Sequence, residues 1–115
     1  MNEDFKIEFR QLEENKDIEK KVYEYLVEKG LDTKLKGFDY LKDIITLSLI
    51  KKKYSRTTIK ELTPFIAFKY GIKEYSVQRQ LRYVCSIKQK YYPVVICNRA
   101  WSDIRAVLEE EKEKR

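Results

Sequence analysis

The chain contains no histidine. That removes the commonest general base and the commonest zinc ligand at once. Its two cysteines, Cys85 and Cys97, have no metal-ligand spacing. Each reads as a small apolar core residue, and a disulfide is not expected in a reducing compartment. Three glycines and two prolines in 115 residues argue against long loops. There is no Gly-rich phosphate loop, nucleophile motif, internal repeat or low-complexity tract. No apolar run approaches the ~20 residues of a membrane span. The first residues, Met1-Asn2-Glu3-Asp4, lack the basic and apolar blocks of a secretory signal. These absences predict one cytoplasmic domain with no membrane segment, metal, cofactor or catalytic activity.

What is present is charge, and it is unevenly placed. Residues 1–50 carry nine Lys/Arg and twelve Asp/Glu. Residues 51–90 carry eleven Lys/Arg against only Glu61 and Glu74, and residues 91–115 carry five of each sign. The net charge of +6 therefore comes from the middle segment. Such segregation fits a polyanionic partner better than it fits solubility alone, although a solvated face is the simpler alternative.

The basic segment contains a helix-turn-helix pattern at 63–90. Thr63-Pro64 can start a helix, with Thr as cap and Pro at the first helical position. Ile66, Ala67 and Tyr70 then share a face, and Gly71 supplies the stop. A second helix at 73–90 follows, with Val77, Leu81, Val84 and Cys85 on its apolar side. The opposite side carries Tyr75, Arg79, Arg82, Tyr83 and Ser86 and no acid, which suits a major-groove reader. An ordinary helical hairpin with a solvated basic side would give the same pattern.

Around this motif the pattern predicts a mainly α domain of about five to six helices. Residues 1–14 read as an arm ahead of a single helical domain at 15–115. Within the arm Phe5, Ile7 and Phe9 alternate with Lys6, Glu8 and Arg10, the period of a short strand. Its partner would be Val94-Val95-Ile96-Cys97, in the same chain or a second one; the alternative is an unstructured arm. Asn15 can cap a helix through Ile18, Val22, Tyr25 and Leu26 that stops at Gly30. Gly37 is expected to adopt a conformation closed to other residues. Phe38 to Lys53 is apolar around most of its circumference, the mark of a central helix ended by Lys51-Lys52-Lys53. Thr58 and Glu61 have capping-box spacing. Tyr91-Tyr92-Pro93 close the second motif helix, and Asn98 caps a last one bearing Trp101, Ile104, Val107 and Leu108.

Residues 30–88 resemble the C-terminal DNA-binding effector domain of the sporulation-initiating response regulators, the stage 0 sporulation protein A family. The resemblance is carried by Gly30, Lys36-Gly37-Phe38 with Tyr40-Leu41-Lys42, Leu62, Pro64, Ile66-Ala67, Lys69-Tyr70, Val77, Arg79 and Arg82. It implies a six-helix, all-α domain whose 73–90 helix reads a short DNA box, often as tandem subunits. It also implies contact with the RNA polymerase sigma subunit. The family's regulators carry a phosphate-receiving domain ahead of this one, and about thirty residues precede the match here. Activation by phosphorylation is therefore not expected to carry over. Gln78 stands where the family has an acid, and Tyr83 where it has histidine, so the target sequence is not expected to carry over either. Gln80 replaces a small residue.

The leading expectation is a sequence-specific, DNA-binding transcriptional regulator on the bacterial nucleoid, acting as a homodimer or in tandem. Arg79 would take a guanine edge, a contact worth ~1–3 kcal/mol of discrimination. Gln78 would take an adenine, and Tyr75, Ser76, Arg82 and Tyr83 would complete the reading face. Lys51, Lys52, Lys53, Arg56, Lys69 and Lys73 would hold the DNA backbone. The alternative is a protein-interaction module, an adaptor or antagonist of a related regulator or of RNA polymerase, for which nine tyrosines leave room. RNA binding is a weaker third option, because no aromatic stacking motif of an RNA module is present.

Overall fold

The computed structural model describes residues 5–86 and 92–113. Among them lie six helices: α1 Lys6–Glu14, α2 Lys16–Glu28, α3 Lys36–Ile50, α4 Thr58–Tyr70, α5 Glu74–Ser86 and α6 Pro93–Glu113. No strand occurs among the described residues.

The expected two-stranded element is therefore absent, and both of its halves are helical. The alternation of Phe5, Ile7 and Phe9 is overridden by tertiary packing. Phe5 and Phe9 each meet Phe65 and Phe68 of α4, with centroids 5.0–6.2 Å apart. Leu12, one helical turn beyond Phe9, is buried in the core. Five and nine are one turn apart on a helix, so period two and period 3.6 both accommodate that pair. Val94 to Cys97 form the first turns of α6, with Pro93 at the position where a missing N–H costs nothing. Asn98 consequently lies inside α6 rather than capping it.

The central helix is the one expected. Phe38, Leu41, Ile44, Ile45 and Leu47 of α3 are fully buried, and every other helix packs against α3. Gly37 sits in its first turn for a different reason from the one expected. A Cβ there would fall 2.2 Å from the carbonyl oxygen of Gln80, so the residue lets α5 approach α3 closely. Gly71 does adopt the left-handed conformation, with φ 65°, and it ends α4.

Helix α4 begins at Thr58, and Pro64 lies within it. Proline in a helix interior removes one backbone bond and costs ~3 kcal/mol. Here Leu62, Phe65 and Ile66, on either side of it, are all buried and hold the helix together. Thr63 donates its hydroxyl back to the Ile59 carbonyl at 2.7 Å instead of capping. The cap position falls to Thr57, whose hydroxyl donates to Glu61 at 2.7 Å, one residue earlier than the spacing suggested. Asn15 likewise precedes α2 without a side-chain cap, because its amide donates to the Gln11 carbonyl at 2.8 Å.

Candidate nucleic-acid interface

Helices α4 and α5 and the turn at Gly71 build the site. The Ile72 N–H bonds back to the Ala67 carbonyl, which closes the turn around Gly71. Lys73 then caps α5 through its carbonyl, which accepts from the N–H groups of Ser76 and Val77. Its exposed ammonium stands at the positive end of the helix, a position that favours a nearby anion. Glu74, in the next position, partly offsets it.

Val77, Leu81, Val84 and Cys85 pin α5 to the core. The opposite face follows from that: Tyr75, Gln78, Arg79, Arg82 and Tyr83 are exposed, and Ser76 is half-buried. The Arg79 guanidinium lies 5.7 Å from the centroid of the Tyr75 ring, one turn back along the helix. That contact limits the rotamers available to Arg79, which stays exposed. The described part of α5 ends at Ser86, so Lys88 and Lys90 fall outside the described residues.

Beside this face runs an open cleft of about 450 Å³ between α4, α5 and the start of α6. Arg56, Lys60, Gln78 and Arg82 supply its polar edge, and Ile59, Leu81, Pro93 and Val94 its floor. No carboxylate is among its described lining residues. A second hollow of about 380 Å³ continues it past Arg56 to Asn98 and Arg99. The result is a track of guanidinium and ammonium groups leading away from α5, suited to phosphate oxygens.

The six lysines and arginines expected at the DNA backbone are dispersed. Arg56 lies in the cleft and Lys73 at the head of α5. Lys69 instead pairs with the buried Asp43 of α3 at 2.7 Å. Lys51 pairs with Glu8 of α1 at 3.1 Å. Lys52 lines a separate cavity with residues of α2, α3 and α6, and Lys53 is exposed in the loop after α3. Lys60 and Arg99 were not among the expected residues. Their signal was the true start of each helix: once α4 begins at Thr58, Lys60 falls beside α5, and once α6 begins at Pro93, Arg99 falls in the second hollow.

The other buried polar groups serve the scaffold. Burial and then Asp43 push the Tyr70 phenol up, so it remains a donor to Asp43 at 2.7 Å. Burial pushes the Cys85 thiol up to about 12 and raises Cys97 as well, so both stay protonated and unreactive. Burial and Cys97 move Tyr54 up to about 12; its hydroxyl donates to the Val94 carbonyl at 2.9 Å, fixing the cleft wall. Trp101 stacks on Tyr54 and donates to the Ser48 carbonyl at 3.3 Å, half-buried and packed against the core. Among the described residues no group of three metal-ligating side chains gathers, and no helix is long and apolar enough to cross a membrane.

The family described as sporulation initiation factor Spo0A C terminal matches residues 22–109 of the chain. That span takes in α3 to α5 whole and leaves α1 outside. No curated protein and no solved structure matches the chain.

Proposed function

The chain belongs to the Spo0A C-terminal family of sporulation initiation factors, and from that premise we propose that it reads a short duplex DNA box with α5 in the major groove. The observation that carries the reading is the outward face of α5, bordered on one side by a cleft of Arg56, Lys60 and Arg82. Arg79 takes a guanine edge and Gln78 an adenine edge, with Tyr75, Ser76 and Tyr83 packing on neighbouring bases. Arg56, Lys60, Lys73 and Arg82 hold phosphates and set the register. Lys69 and Lys51 are left out of that set, because each ammonium already faces a carboxylate within the molecule.

One α5 spans few base pairs, so a useful target requires two copies side by side on the DNA. Contact with the RNA polymerase sigma subunit, on the nucleoid, extends the same proposal by resemblance. The test is to recover bound fragments from a pool of random duplexes and titrate the recovered box and its shuffled counterpart by fluorescence anisotropy. The recovered box binds tighter, and four phosphate contacts per subunit give a log–log salt slope of about −3.6 per subunit. Absence of binding to either duplex at low salt would remove the reading and favour the protein-interaction alternative.

A further inference from the structure

A third cavity lies away from the DNA-facing elements, where the start of α2, the end of α3 and the end of α6 meet. It encloses about 290 Å³, room for a small organic molecule, and none of its described lining residues belongs to α4 or α5. Its walls are aliphatic, from Ile18, Leu49 and Leu108. Its rim carries three cations, Lys52, Arg105 and Lys112. Glu109 is the one acid among the described lining residues, and it faces Arg105 at 4.0 Å, so the rim keeps an excess of two positive charges.

The backbone adds an independent observation. Lys52 holds φ at 54°, and it is the one described non-glycine residue with positive φ. It occupies the left-handed position of the motif that ends α3, in which the Lys53 N–H bonds to the Ser48 carbonyl and the Lys52 N–H to the Leu49 carbonyl. Glycine is the residue that suits this position, and a side chain there is strained. The strained residue is also one of the two that set an ammonium at the rim of the aliphatic cavity.

We propose that this cavity binds a small carboxylate with an unbranched aliphatic tail. The carboxylate sits between Lys52 and Lys112, with Arg105 alongside, and the tail lies against Ile18, Leu49 and Leu108. A chain of six to eight carbons is the size that suits a space of about 290 Å³. Bare inorganic anions lack the apolar contact, and neutral alcohols lack the charge.

The experiment follows the amide proton and nitrogen shifts of the full chain, without DNA, as sodium octanoate, sodium acetate or 1-octanol is added. Octanoate produces saturable shifts confined to residues 15–18, 49–53 and 104–113, with a midpoint of about 1 mM or below. Acetate and octanol each bind at least about tenfold more weakly. Lys52→Gly and Lys112→Gln, both at exposed positions, each weaken octanoate about fivefold while leaving the remaining spectrum in place. Octanoate shifts that fail to saturate, that spread over the surface, or that acetate or octanol reproduces at equal concentration would overturn the proposal. Unchanged octanoate affinity in both variants would overturn it too. Because DNA is absent from every arm, the outcome is independent of the DNA-binding reading.

Discussion

The Lys69 ammonium lies 2.7 Å from Oδ2 of Asp43, a carboxylate that is 1% exposed, and the pair joins α4 to α3. The Tyr70 hydroxyl donates to the same oxygen at 2.7 Å. A buried carboxylate that loses its cation costs more than the pair was worth, because the remaining charge is stranded out of water. Lys69→Met is therefore expected to lose about 2–3 kcal/mol in urea unfolding, below the ~3–5 kcal/mol of a fully buried pair because Lys69 is partly solvated. Under conditions where both proteins are folded, the salt slope of DNA binding stays the same. A slope that falls by about 0.9 would instead make Lys69 a phosphate contact.

Gly37 and Gln80 set the spacing of α3 and α5. Gly37→Ala would push a methyl to 2.2 Å from the Gln80 carbonyl oxygen and 3.0 Å from a Val84 methyl. Backbone cannot move aside as a side chain tip can, so a loss of about 2–3 kcal/mol is expected. Thermal unfolding of the variant checks it, and an unchanged midpoint would mean the two helices can separate without cost.

Lys52→Gly is expected to stabilise the fold by about 1 kcal/mol, since glycine adopts the left-handed conformation without a Cβ penalty. A rise in the urea midpoint at constant slope is the readout. A lysine that costs stability where glycine fits is a candidate for a role other than folding.

The pair Glu19–Lys42, at 3.1 Å, links α2 to α3 and gives stability a defined pH window. Burial opposes the charge on each, and the partner outweighs it: Glu19 titrates below its ordinary 4.5 and Lys42 above its ordinary 10.5. Glu19 therefore contributes stability that is complete above about pH 4.5 and lost as pH falls through its folded value. Lys42 contributes stability that is complete below about pH 10.5 and lost as pH rises through its folded value. Glu19→Gln should remove about 0.5–1 kcal/mol on the plateau and flatten part of the acid limb, as measured by urea unfolding at a series of pH values.

Much of the helical plan was legible because periodicity reports burial directly. Phe38, Leu41, Ile44 and Ile45 surround α3, and Val77, Leu81, Val84 and Cys85 line one side of α5. Where the reading departed, a local signal lost to a distant contact. Phe5 and Phe9 fit a strand until Phe65 and Phe68 are set beside them, sixty residues away in sequence. Pro64 marks a helix start unless buried neighbours on both sides outweigh it. The exposed face of α5 was visible from sequence, since it is the complement of its apolar stripe. The fate of each lysine was not, because Lys51 and Lys69 depend on acids from α1 and α3. Charge counts predict a basic region; only packing decides which cations remain available to a partner.

The most direct test compares Arg79→Ala with Lys60→Ala on the recovered box and on shuffled DNA, by anisotropy at several salt concentrations. Both side chains are exposed, so neither change should disturb folding. If α5 reads bases while the neighbouring cleft holds phosphates, Arg79→Ala loses about 1–3 kcal/mol on the box and little on shuffled DNA. Lys60→Ala weakens both duplexes alike and reduces the salt slope by about 0.9. A ratio of box to shuffled affinity that survives Arg79→Ala unchanged would contradict the account.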